Sequence, residues 1–303
     1  MPNLGTGRLQ GRYETCPQSL SREHPERLDR DGFIAFEGLL AGGEVELGRE
    51  ALAELATRMH RLYLGNSPEI VVLDRRGKGH SFSGVFINMA DRPFGIQFEE
   101  GVDPRSLKPN DAARHIRKLM HYHAEHRFLD ELVSHPKISG ILESILGPGS
   151  ILFQDMALVK NPKIGVAKPW HQDNAYFSFA PLERIIGVWI ALDDTDAGNG
   201  CMHFIPGGHK RGALKHFHGT DCEISPGRID PGQAVPVELG AGGAIFFYGM
   251  APHYTPPNHS DFCRRALQYH YRGHDTRQLE LDEYDRLFAE ADGTPASCRA
   301  AVK

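Results

Sequence analysis

The chain has 303 residues, 40% hydrophobic and 24% charged, enough to bury a sizeable core. Its formal net charge of -5 provides no global basic field, which removes nucleic acid as a default partner. Five cysteines without CxxC spacing argue against a disulfide framework, and no apolar run reaches the length of a membrane span, so a cytoplasmic protein with no membrane partner is expected.

Residues 1–30 are polar, rich in Arg, Glu, Pro and Gly, without periodicity, and read as a loosely ordered arm. "GFIAFEGLL" (32–40) reads as a short strand, and the following "GGEVELGREALAELATRMHRLYLG" repeats its apolar residues every three or four positions, as an amphipathic helix does. Helical periodicity returns from Asp111 to Gly147, where Pro136 opens a helix and Gly147 closes it. Residues 31–149 are therefore expected to be mostly helical wrapping.

After Gly149 the period changes to two. "ILFQDMALVK", "GVWIALDD", "AIFFYGMAPH" and "RRALQYHYRG" read as strands, separated by turn clusters such as "NPKIG" and "PGGHKRG". "GAGGA" (240–244) is followed by no helix and reads as a hairpin turn rather than a nucleotide loop. A mainly β core over 150–275, curled into a sandwich or barrel under a helical jacket, with a C-terminal helix and tail over 276–303, is expected to form one domain.

The stretch "WHQDNAYF" (170–177) carries the first chemical signal. On a strand, His171 and Asp173 share a face, the minimum for a bidentate metal clamp, although an HxD arises readily by chance among 17 histidines. "HYHAEH" (His121, His123, His126) does not gather its imidazoles on one helix face and reads as solvated. His253 is the better third ligand, because it follows the apolar strand and so lies at a strand end. Two imidazoles and a carboxylate form the facial triad of non-haem Fe(II) oxygenases, and a zinc hydrolase uses the same set.

Arg264 lies 11 residues beyond His253, and its parity groups it with Ala266, Gln268 and His270, while Arg265 shares a face with Leu267 and Tyr269. An inward guanidinium requires an anion, either a bound carboxylate or a carboxylate of the protein itself. Thr255, two residues past His253, offers a hydroxyl to the same anion. Phe177 and Phe179 share the parity of His171 and Asp173 and could floor a substrate site. Trp189, on the opposite parity from Val188 and Ile190, lines the pocket or packs in the core. Lys160, Lys163 and Lys168 read as a solvated loop, with a rim for an anionic substrate as the alternative.

Taken together, "WHQDNAYFSF", "GVWIALDD", "NGCMHFIPGGHKRG" and "HYTPPNHSDFCRRAL" resemble the phytanoyl-CoA dioxygenase family of Fe(II)/2-oxoglutarate-dependent oxygenases, over about residues 129–271. The resemblance implies a double-stranded β-helix (jelly roll, cupin-like) core, with His171, Asp173 and His253 as iron ligands. It also implies that Arg264, helped by Thr255, binds 2-oxoglutarate, and that Gln154 lines the site, as a glutamine does at that spacing in relatives. The implied activity is hydroxylation of an unactivated carbon of a small-molecule or acyl substrate, consuming O2 and 2-oxoglutarate and releasing succinate and CO2. A monomer or weak homo-oligomer is expected. A zinc hydrolase and a non-catalytic metal-binding barrel remain the alternatives.

Overall fold

The computed structural model describes residues 13–77, 83–219 and 221–291. In chain order, helix α1 (Glu23–Asp31) leads into β1 (Phe33–Phe36), and α2 (Gly42–Leu64) is followed by β2 (Ile70–Asp74), β3 (Val85–Met89), β4 (Gly95–Phe98) and β5 (Ile116–Met120). Helices α3 (Arg127–Val133) and α4 (Pro136–Leu146) precede β6 (Ile151–Lys160) and β7 (Lys168–His171). The short helix α5 (Asn174–Phe177) then enters β8 (Phe179–Ala180), β9 (Ile185–Ala191), β10 (Met202–Phe204), β11 (His216–His218) and β12 (Cys222–Ile224). The described residues continue through β13 (Val235–Val237), β14 (Ala244–Tyr248), β15 (His253–Thr255), β16 (Arg264–Arg272), β17 (Arg277–Gln278) and helix α6 (Leu281–Phe288).

A nine-stranded sheet, ordered β1-β14-β9-β16-β6-β5-β4-β3-β2, faces a four-stranded sheet, β13-β10-β15-β7. Strand alternation divides the large sheet into two surfaces. Val188, Ile190, Leu267 and Tyr269 point to the outer surface and pack in one core with Leu52, Leu55 and Met59 of α2. Trp189, Ala191, Ala266 and Phe247 point inward and meet Met202, Phe204 and Val237 of the small sheet. This is the mainly β, double-stranded β-helix arrangement expected, with α2 covering the outer face of the large sheet and α5 and α6 packed together beside β12.

A methyl group at Gly187 would come 2.3 Å from the Phe247 ring. Glycine there lets that ring lie against His253, 5.1 Å away between centroids, at the bottom of the inter-sheet space.

Two expectations are corrected. Within the described part of the expected arm, residues 23–31 form a helix anchored by buried His24 and Leu28, with Gly32 at φ 87 closing it. The Cys16 N–H donates to the Glu37 carbonyl at 2.7 Å, tying the preceding segment to the sheet. Two inward residues are too few to produce a periodicity visible in sequence. Residues 31–149 are likewise not mainly helical wrapping, since β1 to β5 belong to the large sheet. Strands β3 and β4 are buried along nearly their whole length, and a strand covered on both faces shows no polar alternation to mark it.

Candidate metal centre

Strands β7 and β15 pair so that His171 stands directly opposite His253, with ring centroids 4.1 Å apart. Asp173 arrives differently from the expected alternation. The strand ends at His171, and Asp173 (φ -60, ψ -35) begins the turn into α5, whose Tyr176 N–H donates to its carbonyl at 2.9 Å. The turn is held by fully buried Gln172. Its amide donates to the carbonyls of Gly212 (2.9 Å) and Met250 (2.7 Å) and accepts from Leu214 N–H (2.8 Å).

Among the described residues, His171, Asp173 and His253 form the one group of three potential metal ligands, each able to bring a donor atom within 4.8 Å of the others. The imidazole Nδ1 atoms lie 2.8 Å from the Pro169 carbonyl and 2.9 Å from the Ala251 carbonyl. A carbonyl only accepts, so both Nδ1 atoms carry the proton and both Nε2 atoms present lone pairs. Those lone pairs face Asp173 Oδ1 at 3.3 Å and 3.6 Å. Three acceptors converging in a buried place fit a cation and little else.

Burial, with His171 beside it, pushes the His253 imidazole down to about 3, so it is a neutral ligand near pH 7. Burial alone would raise the Asp173 carboxyl, but the neighbouring His253 and His270, with the hydrogen bond from His270, hold it well below the usual range. His270 was grouped with the inward residues of β16 but given no role by sequence. Its Nε2 lies 2.8 Å from Asp173 Oδ2, which orients the carboxylate so that Oδ1 faces the two histidines. The HxD pattern carries no signal for this contact, because the two residues are 97 apart.

A cavity of about 330 Å³ opens over this group and is also lined by Gln154, Phe177, Trp189, Thr255 and Arg264. Arg264 is 1% exposed. Its Nη1 donates to the Leu158 carbonyl at 3.3 Å, its Nε has no partner, and its guanidinium carbon lies 5.6 Å from the Trp189 ring. Among the described residues no carboxylate forms an ion pair with it, and burial lowers its pKa to about 10. Arg265, on the other face, is bound by Asp193 through two contacts of 2.8 Å and 2.7 Å. The alternative of a protein carboxylate for Arg264 therefore falls to its neighbour instead. Gln154 Oε1 and Trp189 Nε1 are also buried without partners at the cavity.

Phe179 is not among the residues that line the cavity. It packs on Phe153 with centroids 5.0 Å apart, beneath the Arg272 guanidinium. The helical turn after Asp173 breaks the parity on which its placement rested, and the same turn directs Tyr176 into the cavity. The Tyr176 hydroxyl donates to Asp221 (2.7 Å) and accepts from Lys168 (2.6 Å). Lys168 is thus a cavity residue, as is Lys160, whose ammonium donates to the Val166 (2.5 Å) and Pro256 (2.6 Å) carbonyls. Lys163 reaches the His259 carbonyl and Asp261 at the surface. His123 and His126 lie away from the triad, paired with Asp155 and Glu54.

A family model described as phytanoyl-CoA dioxygenase matches residues 28–266. The chain is 28% identical over 265 residues to the mouse (Mus musculus) phytanoyl-CoA dioxygenase domain-containing protein 1, covering 83% of this chain and 89% of that one. It is 26% identical over 257 residues to the phytanoyl-CoA dioxygenase of Arabidopsis thaliana, covering 81% and 87%. Among solved structures it resembles EvdO2 from Micromonospora carbonacea var. aurantiaca complexed with 2-oxoglutarate (TM-score 0.59, 23% identity, 88% and 95% covered). It also resembles SnoK, a non-haem α-ketoglutarate-dependent carbocyclase from nogalamycin biosynthesis (TM-score 0.61, 21% identity, 94% and 97% covered).

Proposed function

Since the chain belongs to the phytanoyl-CoA dioxygenase family, we propose that it is a non-haem Fe(II)/2-oxoglutarate-dependent dioxygenase that hydroxylates an unactivated carbon of a small-molecule or acyl substrate. The observation that carries the reading is the coexistence, in one cavity, of a His171–Asp173–His253 acceptor cluster and a buried Arg264 that forms no ion pair with a carboxylate among the described residues. A zinc hydrolase would use the first and leave the second unexplained. A metal-binding barrel without catalysis would share the cavity and its orphaned polar groups, and differs in failing to turn over 2-oxoglutarate.

In this reading His171 Nε2, Asp173 Oδ1 and His253 Nε2 hold Fe(II) as a facial triad. Bound there, iron with 2-oxoglutarate and O2 supplies the oxidising chemistry, with succinate and CO2 as co-products. The protein's own part is orientation and exclusion of water. Arg264 holds the far carboxylate of 2-oxoglutarate by a charge-assisted fork, Thr255 adds a hydroxyl, and the face of Trp189 covers the guanidinium. His270 keeps Asp173 turned toward the metal position. Gln154 and Phe177 contact the substrate or cosubstrate over the triad. SnoK is described as a carbocyclase and SnoN as an epimerase, and hydroxylation is the default outcome among those such a site supports.

The test reconstitutes the protein anaerobically with Fe(II) and 2-oxoglutarate. Bound iron and a visible charge-transfer band are expected in the wild type, with both lost in His253→Ala, followed by substrate-stimulated succinate release on admitting O2. Retention of wild-type iron and band by His253→Ala would sink the triad assignment.

A further inference from the structure

Strand β2 is one edge of the large sheet, and among the described residues it pairs with β3 alone. The opposite edge, β1, is buried at three of its four residues. β2 is the reverse: Val71, Val72 and Leu73 are 49%, 39% and 40% exposed, so apolar side chains stand in water on both of its faces. Open edges are ordinarily blunted by lysine, proline or a bulge. This sheet does bulge further in, where Gln97 pairs with Lys118 and Phe98 with Ile116, leaving Arg117 extra in β5. β2, however, pairs with β3 in unbroken register and contains no lysine or proline.

The same register shows which backbone groups are unspent. The Glu69 carbonyl accepts from Ala90 N–H, and Arg75 N–H donates to the Gly84 carbonyl, each at 2.8 Å. Alternate residues of an antiparallel strand bond to the same neighbour, so the odd-numbered residues serve β3. Ile70, Val72 and Asp74 therefore turn their N–H and C=O groups to the open edge.

A second copy of β2, running antiparallel, offers matching groups at the matching spacing. With a two-fold axis at Val72, Val72 meets its own copy, Ile70 meets the partner's Asp74, and Val71 meets the partner's Leu73. Glu69 then stands opposite the partner's Arg75, and symmetry repeats the pair. Arg76 is held by Asp74 of its own chain, whereas Glu69 and Arg75 form no ion pair among the described residues; Arg75 lies over the Phe86 ring at 5.6 Å. Shifting the axis to Val71 sets Glu69 against Leu73, and shifting it to Asp74 opposes two carboxylates. Only the Val72 register joins apolar to apolar at the centre and unlike charges at the ends.

We propose that two copies of this chain pair edge to edge through β2, antiparallel about a two-fold axis at Val72, so that their large sheets become one. Of the strands that line the cavity, β5 is the nearest to β2, three strand spacings or roughly 14 Å away. Pairing thus leaves both cavities open, and the interface is independent of the oxygenase reading.

The test is sedimentation equilibrium of the full-length protein from about 1 to about 200 µM. A reversible monomer–dimer equilibrium is expected, with a dissociation constant on the order of 10 µM, because two paired strands bury less than a standard interface. Val72→Lys places two ammonium groups together on the axis and should leave monomer at every concentration, with far-UV circular dichroism as in the wild type. Glu69→Arg and Arg75→Glu should each weaken the dimer roughly tenfold, since each reversal counts twice, and the double variant should return to within about threefold of wild type. Amide exchange across residues 68–76 should slow as the dimer fills. A wild type that remains monomeric at the highest concentration overturns the proposal, as do dimers untouched by Val72→Lys and association that continues past two copies. Failure of the double charge swap to restore pairing overturns it as well, whether or not the lysine variant folds.

Discussion

Arg264 and Arg265 are consecutive, yet one is a buried cation with no carboxylate partner among the described residues and the other is locked to Asp193. Losing a charge-assisted bidentate contact in a sheltered pocket costs about 2–5 kcal/mol, or roughly 30-fold to several thousand-fold in affinity. Arg264→Ala should therefore weaken 2-oxoglutarate binding by that factor while iron still binds, whereas Arg265→Ala should lower stability by about 1 kcal/mol and leave cosubstrate affinity near wild type. Cosubstrate titrations and urea denaturation of both variants decide the matter; a larger binding defect in Arg265→Ala would reverse the assignment. Because a buried, unneutralised cation destabilises the fold that contains it, Arg264→Met should be more stable than wild type, by about 1–3 kcal/mol. His270 acts one contact further out. His270→Phe keeps the ring packed on Phe177, 4.6 Å away, but removes the 2.8 Å contact to Asp173. Metal affinity should fall about 10- to 100-fold, read by anaerobic Fe(II) or Co(II) titration, and a change of less than twofold would deny His270 this role.

The element that decides the site is the turn from β7 into α5. A straight strand would have carried Asp173, Phe177 and Phe179 to one face; the turn retains Asp173, brings in Tyr176 and Phe177, and leaves Phe179 outside the cavity lining. Gln172 holds that turn to two distant segments, around Gly212–Leu214 and at Met250, through three hydrogen bonds in a fully buried position. Gln172→Leu would strand two carbonyls and an N–H, and an unsatisfied buried polar group costs about 1–3 kcal/mol each. A loss of at least 3 kcal/mol of stability and weakened metal binding are expected by thermal denaturation and metal titration. If only stability changes and metal affinity is untouched, the turn is not what positions Asp173.

Over the whole molecule, two buried imidazoles, His216 and His253, are each pushed by burial to about 3. In the unfolded chain a histidine titrates near 6.5, so the unfolded state binds more protons than the folded state between those values. Stability therefore falls as pH drops below about 6.5 and stops falling, for these groups, near 3. Each pKa unit corresponds to about 1.4 kcal/mol, so between pH 7.5 and 4.5 the metal-free protein should lose on the order of 3 kcal/mol per histidine. Urea midpoints at the two pH values measure this, and His216→Gln, which still accepts from the Gln172 N–H, should flatten the dependence. An unchanged wild-type midpoint at pH 4.5 would mean that neither imidazole is held neutral.

The sequence by itself determined the features that depend on near neighbours in the chain. Alternation along "RRALQYHY" separated Arg264, Ala266, Gln268 and His270 from Leu267 and Tyr269, and the sheet surfaces divide them in the same way. Strand-end placement made His253 a ligand candidate, and β7–β15 pairing sets it opposite His171. Only the tertiary structure decided the rest. The HxD spacing is compatible with a strand or a turn, and the turn won because Gln172 found partners 40 and 78 residues away. Strands β3 and β4 show no period because both faces are buried, and the bulge at Arg117 follows from register with β4. Likewise the contact of His270 with Asp173 exists only because β16 crosses the sheet beside the turn. Periodicity records which face a residue takes; which residue stands across from it is decided by the chain's packing against itself.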